Sequence, residues 1–553
     1  MRPEHTPLRP LSDLVPLLGP DAVLLRPDLA PDHPVPAREV QVRGITHDSR
    51  QAGPGDLYAA LPGARAHGAD YAAQVAEAGA AAILTDPAGA DRATATGLPT
   101  LVVPDARAAL GTVAAWIFKE PSRDLLLIGT TGTSGKTTVS YLIESGLRRA
   151  GMGTGLIGTV EMRVGDERVA SSLTTPEATD LHGLFALMRE KGVTAAAMEV
   201  SSHALALGRV GGAHYDVAIF TNLSQDHLDF HSDLRDYFET KARLFTPEYC
   251  DIAVINADDR FGRALVDMVQ ARGAVPVTTF GVEGFSDADP ETALTADWTA
   301  VDVRLGAAGS TFRIVGPGGM EARASVGLPG PFNVSNAMAA VIGLVEAGLP
   351  LETAIEGVAA APGVPGRMEK VTAREVPTSL QDFTALVDYS HKPGAVEAVL
   401  SSVRTVAEGE ITVVLGCGGD RDRAKRPLMG EAAARLADRF VITNDNPRSE
   451  DPVVIATAML EGAAKVPEEE RARITVEFDR AEAIRLAVSR AGAGDVIVVA
   501  GKGHETGQYV KGEVLPFDDR EVLRSAIEEH LSVDVRERLG VALLDVHRPA
   551  DGT

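Results

Sequence analysis

Cysteine is almost absent from this chain of 553 residues: Cys250 and Cys417 are the only two, and they form no CxxC pair. That excludes a disulfide framework and a cysteine-built zinc site. It fits a reducing compartment in which both thiols pack as small hydrophobes. Basic runs are missing too. The formal net charge is −24, with 53 Lys and Arg against 77 Asp and Glu, and no Lys/Arg stretch is long enough to make a basic patch. Nucleic acid and anionic membrane surfaces are therefore poor partners. No apolar run reaches the ~18 residues that would suggest a membrane span. The opening MRPEHTPLRPLSDL lacks the apolar core of a signal peptide. The expectation is a cytoplasmic protein, working as a monomer on small molecules.

What is present is an ordinary globular composition, 45% hydrophobic and 24% charged, over a length that suggests several domains. Three segments separate: 1–120, 121–362 and 363–553. The first alternates short strands (GDLYAALPG, AAAILTD, TLVVPD) with Ala-rich helical stretches. In the second, LLLIGT, TGLIGTV, TAAAMEV, DVAIFTN and IAVINAD alternate with helical patterns near 136–150, 178–191 and 233–245. That predicts a doubly wound, mainly parallel sheet. Residues 297–330 carry period-2 patterning with Gly turns and read as an antiparallel addition. After the Pro/Gly-rich APGVPGRME (361–369), a second alternation runs through TALVDYS, ITVVLGCGG, FVITNDNPR and DVIVVAGKGHE. Its polar strand ends predict a second site, because ligands of open α/β sheets sit at the carboxyl ends of the strands. The tail after about Leu531 has no assignable role.

The stretch LLLIGTTGTSGKTTVSYLIE (125–144) carries the clearest chemistry. A buried strand breaks into a Gly/Thr/Ser loop, and a helix follows from Lys136. Backbone N–H groups and a helix N-terminus then meet an anion, with Lys136 as point charge and the Thr137 hydroxyl for Mg²⁺. The strict P-loop pattern would have glycine at Thr130. TAAAMEV ends at Glu199, a carboxylate suited to Mg²⁺. FTNLSQDHLDFH places Asp226, His227, Asp229 and His231 near the same edge, either as metal ligands or as a loop cluster capping the next helix. His227 and His231, four apart, also have zinc-pair spacing. Neither TNLSQD nor TNDNPR supplies the Asn-Lys-x-Asp motif of a GTPase. Two α/β units suit an enzyme that joins two substrates; a P-loop switch or transport module is the alternative from another class.

GTTGTSGKTT, LTTPEATD, MEVSSHAL, TNLSQDHLDFH, PGPFNVSNAMAA, PGRME, VDYSHKP, GCGGDRDRAKRPLM, DNPR and GKGHE occur in that order, and in this the chain resembles the Mur ligases. The similarity covers roughly residues 40 to 520, and the family loop carries Thr where the strict P-loop has its first glycine. THDSR with GDLYAALPG looks like the family's UDP-binding N-terminal domain. The resemblance implies three domains: that α/β domain, the central P-loop domain, and a C-terminal Rossmann-like α/β domain that binds an amino acid. It implies an ATP-dependent ligase that phosphorylates the D-glutamate γ-carboxylate of UDP-N-acetylmuramoyl-L-alanyl-D-glutamate. An amine of a diamino acid then displaces the phosphate, in the synthesis of a peptidoglycan precursor. The transition states gather negative charge on phosphoryl oxygens, so such a site needs cations.

By this resemblance Gly132, Thr133, Ser134, Gly135, Lys136, Thr137 and Thr138 bind ATP with Asn333, Asn336, Arg367 and Asp388. Thr137, Glu199 and His227 hold Mg²⁺ with Lys241, which the family carries as a carbamate (N6-carboxylysine). An ammonium cannot ligate Mg²⁺, whereas its CO₂ adduct offers anionic oxygens; without the family match Lys241 would read as a solvated helix lysine. Ser49, Arg50, Thr174, Thr175, Ser201 and Arg209 match contacts to the UDP-muramoyl dipeptide. Leu207 stands where the family often has Gln. Arg421, Asp445, Asn446, Pro447, Arg448, Gly501 and Glu505 match the diamino-acid site. meso-2,6-Diaminopimelate is the expected substrate because a guanidinium fork at Arg448 would bind its distal carboxylate. L-Ornithine or L-lysine is the alternative.

Overall fold

The apolar run at 125–128 becomes the strand Leu126–Thr131, buried from Leu127 onward. In this computed structural model, which describes residues 3–26, 39–169, 173–285, 295–306, 309–374 and 380–539, the strand lies inside an eleven-stranded sheet. Parallel neighbours flank it, Ala195–Glu199 on one side and Tyr215–Phe220 on the other. Parallel pairing continues outward to Thr154–Ile157 on the first side. On the second it runs through Cys250–Asn256, Val277–Val282 and Trp298–Gly306. The chain winds to one side, returns through Ala195–Glu199, and then winds to the other. The reversal falls at the carboxyl end of Leu126–Thr131, the place where open α/β sheets bind ligands.

A sheet covered on both faces needs apolar residues at every position. Ala195–Glu199 accordingly reads AAAME and is buried throughout; its alanines let the helix Lys136–Arg149 pack close. Both edges depart from parallel pairing. Gly309–Val315 and Glu321–Val326 extend the sheet beyond Trp298–Gly306, and their short connections leave no room for a parallel crossover. This is the expected antiparallel addition. At the other edge Met162–Val164 and Glu167–Val169 form an antiparallel hairpin. Sequence reading did not single it out, because the strands are short and rich in charge.

The C-terminal sheet has six strands, in the order Glu369–Lys370, Thr384–Asp388, Val496–Ala500, Ile411–Leu415, Arg439–Ile442, Arg473–Val476. All pair in parallel except the first. The N-terminal sheet has five: Val23–Leu25, Thr100–Val102, Ala82–Thr85, Asp56–Ala60 and Gly44–Thr46. The residues group into two compact units. One is drawn from Met1–Val303, Phe312–Ser325 and Val334–Ala361, the other from Arg304–Thr311, Val326–Asn333 and Pro362–Thr553. The N-terminal and central sheets share the first. Among the described residues no helix is long and apolar enough to cross a membrane. The tail beyond 539 lies outside the described residues.

Candidate active site

The loop after Leu126–Thr131 is shaped by its neighbours. Gly132 and Gly135 have φ of 149° and 90°. A side chain on Gly132 would meet Thr221 Oγ1 at 2.0 Å, and one on Gly135 would meet Asn336 Oδ1 at 2.4 Å. Only glycine fits either place. Thr221 Oγ1 donates to Ser134 O (2.7 Å), and Ser134 N donates to Asn222 Oδ1 (3.0 Å). Thr133 N donates to Asn222 O at 2.9 Å. Lys136 Nζ curls back to Gly132 O (2.9 Å) and Thr133 O (3.0 Å). The loop is thus a rigid cup at the start of Lys136–Arg149, whose first N–H groups have no partner within the helix. Thr137 and Thr138, on its first turn, are buried. A cup of backbone N–H groups with a lysine at its rim suits a polyphosphate.

Glu199 pairs in register with Thr130 across the sheet and is 1% exposed. Its carboxylate accepts from Thr159 N (2.7 Å) and Thr159 Oγ1 (3.0 Å). Lys241 reaches the same loop from the helix Leu234–Ala242. It is 1% exposed, and its Nζ donates to Gly132 O at 2.9 Å. The solvated-lysine alternative is therefore wrong: the helix places its polar stripe outward, and Lys241 lies on the inward face. Tyr237, one turn earlier, joins the parts. Its hydroxyl lies 3.2 Å from Thr133 Oγ1, its ring lies 4.7 Å under Lys241 Nζ, and His227 stacks edge-on to it at 6.1 Å.

His227 has φ 54° and its Nε2 lies 3.0 Å from Asp226 Oδ2. His231 instead turns its Nδ1 toward Asp236 at 3.4 Å. The two imidazoles face different carboxylates and make no zinc pair. The next helix is capped by Asp233, whose side chain accepts from Asp236 N, rather than by Asp226 or Asp229. Among the described residues no three His, Cys, Asp or Glu side chains are grouped to hold a metal ion. A hard divalent cation here needs an anionic donor besides Glu199. Glu199 stands in register with Thr130 and Lys241 Nζ lies 3.4 Å from Thr131 Oγ1, so both reach the same strand end; a carbamate on Lys241 would add anionic oxygens there, and on that condition the residues fit Mg²⁺.

The expected dipeptide residues adjoin Glu199. Thr174 Oγ1 lies 3.0 Å from Thr159 Oγ1. Thr175 Oγ1 donates to Glu199 O (2.9 Å) and accepts from Ser201 N (3.1 Å). Arg209 Nε pairs with Glu177 Oε1 at 2.8 Å, and the same carboxylate takes Arg107 at 3.0 Å. Glu177 thus ties a helix of the N-terminal domain to this cluster. Leu207, half-buried, follows the helix Ser202–Ala206. Ser49 and Arg50 lie beyond the strand Gly44–Thr46. Arg50 Nε donates to Asp48 Oδ1 at 2.8 Å, and this bond holds the Asp48 carboxyl down at about 2. His47, in the same turn, lies 3.1 Å from Thr179 Oγ1 of the central domain.

On the helix Pro331–Glu346, Asn336 faces the phosphate loop at Gly135. Asn333 instead donates to Pro329 O at 2.7 Å.

The second unit gathers its polar residues at the carboxyl ends of its strands, as the sequence predicts. Asp388 ends one strand and accepts from Met368 N at 2.8 Å. Burial pushes its carboxyl up, against hydrogen bonds from Ser390 and the charge of Arg367. Arg367 lies over the Tyr389 ring at 4.3 Å. In the next cluster a side chain on Gly418 would meet Arg448 Nη1 at 3.0 Å, Arg421 Cγ at 3.7 Å and Asp445 Oδ2 at 4.0 Å. Arg448 Nη1 donates to Gly419 O at 2.7 Å, and its backbone N donates to Tyr509 O at 2.9 Å. Pro447 O lies where a side chain on Gly419 would come within 1.9 Å. Asn446 Nδ2 donates to Glu505 Oε2 at 3.0 Å. Gly501, with φ 113°, turns the chain beside Asp445. All seven expected residues border this cluster, Arg421 only through its stem beside Gly418. Arg421 is exposed and its Nη1 only grazes Asp420 O at 3.4 Å.

Arg480 braces this cluster from beneath. It is fully buried, forms a two-pronged pair with Asp519 at 2.7 Å, and donates to Asn444 O (3.2 Å) and Ala500 O (2.9 Å). Arg480→Met strands a buried carboxylate and is expected to cost about 3–5 kcal/mol, while the double change with Asp519→Leu recovers most of that. Thermal unfolding followed by circular dichroism measures both; a single variant as stable as the parent contradicts the brace.

Three family models match: Mur ligase family, catalytic domain, at residues 41–116; Mur ligase middle domain, at 130–344; and Mur ligase, glutamate ligase domain, at 366–503. A protein of Streptomyces avermitilis is 55% identical over 96% of this chain and 98% of its own length; it is named UDP-N-acetylmuramoyl-L-alanyl-D-glutamate–2,6-diaminopimelate ligase. The chain belongs to the Mur ligase family. A Leifsonia xyli relative of this Mur ligase, 44% identical over 96% of this chain and 98% of its own, is named UDP-N-acetylmuramyl-tripeptide synthetase. A solved structure titled as a UDP-N-acetylmuramoyl-L-alanyl-D-glutamate–2,6-diaminopimelate ligase superposes on the Mur ligase with TM-score 0.64, at 32% identity. It covers 91% of this chain and 97% of its own.

Sequence reading missed several residues that shape the ligase's site. Thr159 holds Glu199, Glu177 links two domains, and Tyr237 joins the phosphate loop to Lys241. Tyr237 had a signal, its place one helical turn before Lys241. Thr159 had none, since its partner lies on a strand far along the chain.

Proposed function

We propose that this Mur ligase adds meso-2,6-diaminopimelate to UDP-N-acetylmuramoyl-L-alanyl-D-glutamate at the expense of ATP. The bond formed is an amide to the D-glutamate γ-carboxylate; the products are ADP and phosphate. The names of relatives such as the Streptomyces avermitilis protein support the reaction, and the place of Arg448 supports the amino acid. Gly132 to Thr138 cradle the ATP phosphates, with Lys136 as the point charge and Asn333, Asn336, Arg367 and Asp388 serving the rest of the nucleotide. Thr137, Glu199, His227 and carboxylated Lys241 hold Mg²⁺, which when bound neutralises charge on the phosphoryl oxygens. Thr174, Thr175, Ser201 and Arg209 orient the dipeptide carboxylate, and Ser49 and Arg50 serve the uridine end. The γ-carboxylate attacks the γ-phosphorus, the amine attacks the resulting acyl phosphate, and phosphate leaves. No protein nucleophile is needed, because phosphorylation gives the carboxylate its leaving group. The segments 1–120, 121–362 and 363–553 divide the work among UDP-muramoyl, ATP and amino-acid binding, and the enzyme acts in the cytoplasm as a monomer.

Arg448 decides the amino acid in this reading. Its planar fork pairs with the distal carboxylate of diaminopimelate and repels the bare ammonium of lysine or ornithine. Such a charged bond contributes roughly 1.5–3 kcal/mol, so Arg448→Ala is expected to lose about ten- to a hundredfold in kcat/KM for diaminopimelate. Lysine, a poor substrate throughout, should gain or stay level. The check is a competition among the three amino acids with parent and variant enzyme. A parent that prefers lysine or ornithine overturns the amino-acid assignment and leaves the ligase reaction standing.

A further inference from the structure

Lys502 is a lysine shut off from the protein surface. Its side chain is fully buried one residue beyond Gly501, at the carboxyl end of Val496–Ala500. A buried ammonium survives only with its donors satisfied and its charge balanced. Here Nζ donates to Asn446 Oδ1 at 2.9 Å and to Glu505 Oε2 at 3.1 Å, with Asp445 Oδ1 at 3.8 Å. Asn446 Oδ1 also accepts from Tyr509 N at 3.0 Å, while its Nδ2 donates to Glu505 Oε2 at 3.0 Å. Two donors on one amide oxygen fix the amide's orientation, so its nitrogen must turn to Glu505. Lys502 therefore sets three side chains at once: it locks Asn446, aims the part-exposed Glu505, and lies between the carboxylates of Asp445 and Glu505.

The geometry assigns to Lys502 the role of positioning residue for the diamino-acid site, acting through Asn446 and Glu505 rather than by touching substrate. This rests on the reading of that cluster as the amino-acid site. Glu505 can accept a hydrogen bond from the substrate's distal amine only while it points at the cluster, and the bonds from Lys502 Nζ and Asn446 Nδ2 to its Oε2 hold it there. Without Nζ, Asn446 Oδ1 and Glu505 Oε2 lose the donor they share, and Glu505, whose side chain is part-exposed, can turn out toward solvent.

The test compares Lys502→Met, which keeps the stem and removes the charge and donors, with the full-length parent. KM for meso-diaminopimelate should rise about tenfold or more, while KM for ATP and for the UDP-muramoyl dipeptide stays within about twofold. Near-ultraviolet circular dichroism checks the fold. If Lys502→Met does not fold, Lys502→Gln carries the test, since it keeps a donor to Asn446 but no charge for Glu505, and the same KM rise is expected. An unchanged KM for the amino acid, or a loss confined to kcat, overturns the assignment. A parent that uses lysine or ornithine instead overturns the diaminopimelate reading alone, and the Lys502 comparison is then made on that amino acid.

Discussion

Lys241→Ala is expected to lower turnover by about a hundred- to a thousandfold, and a short carboxylate such as acetate should restore part of it. The size follows from removing charge stabilisation in a water-poor site. The direction of rescue is the diagnostic part. Lys241 is 1% exposed, with Nζ 2.9 Å from Gly132 O, so alanine leaves a small buried space beside the phosphate loop. If the side chain acts as an ammonium, methylamine should fill that role and acetate should not. If it acts as a carbamate, acetate supplies the lost oxygens and methylamine does nothing. Mass spectrometry of the parent under added CO₂ should show the adduct as well. Rescue by amine alone would remove the carbamate from the account.

Lys136→Ala and Glu199→Ala should each lose all measurable turnover while the protein stays folded. Lys136 lies at the rim of the phosphate cup, where its Nζ donates to Gly132 O and Thr133 O. The strand and helix it joins are held by their own apolar faces. Removing Glu199 frees Thr159 N and Oγ1, whose bonds to the carboxylate measure 2.7 and 3.0 Å. That costs about 1–3 kcal/mol of stability, small against a full core. Phosphate release and a thermal melt on the same samples separate the two effects. A folded variant with the parent's rate would remove the ATP-site assignment.

Much of this was legible in the sequence, for identifiable reasons. Leu126–Thr131 and Ala195–Glu199 show as apolar runs because both faces of the central sheet are covered. Polar residues cluster after each strand, at the carboxyl ends where open α/β sheets bind ligands. The short hairpin Met162–Val164 and Glu167–Val169 escaped, since an edge strand carries charge and little periodicity. Lys241 shows the limit most clearly. A charged helix segment gives no sign of which face turns inward; the family resemblance pointed to a function for Lys241, and the structure adds its burial. Lys502 gives no sign of its part within GKGHE, because its role depends on Asn446, which is remote in sequence and adjacent in space.

The most direct test is the product itself. Enzyme, ATP and UDP-N-acetylmuramoyl-L-alanyl-D-glutamate are incubated with meso-diaminopimelate, lysine or ornithine, and the nucleotide product is weighed by mass spectrometry. The account predicts a product heavier by one diaminopimelate less water, formed with one phosphate released per molecule and no phosphate when either acceptor is omitted. Phosphate release without any amide product, at the same rate with and without the dipeptide, would contradict it.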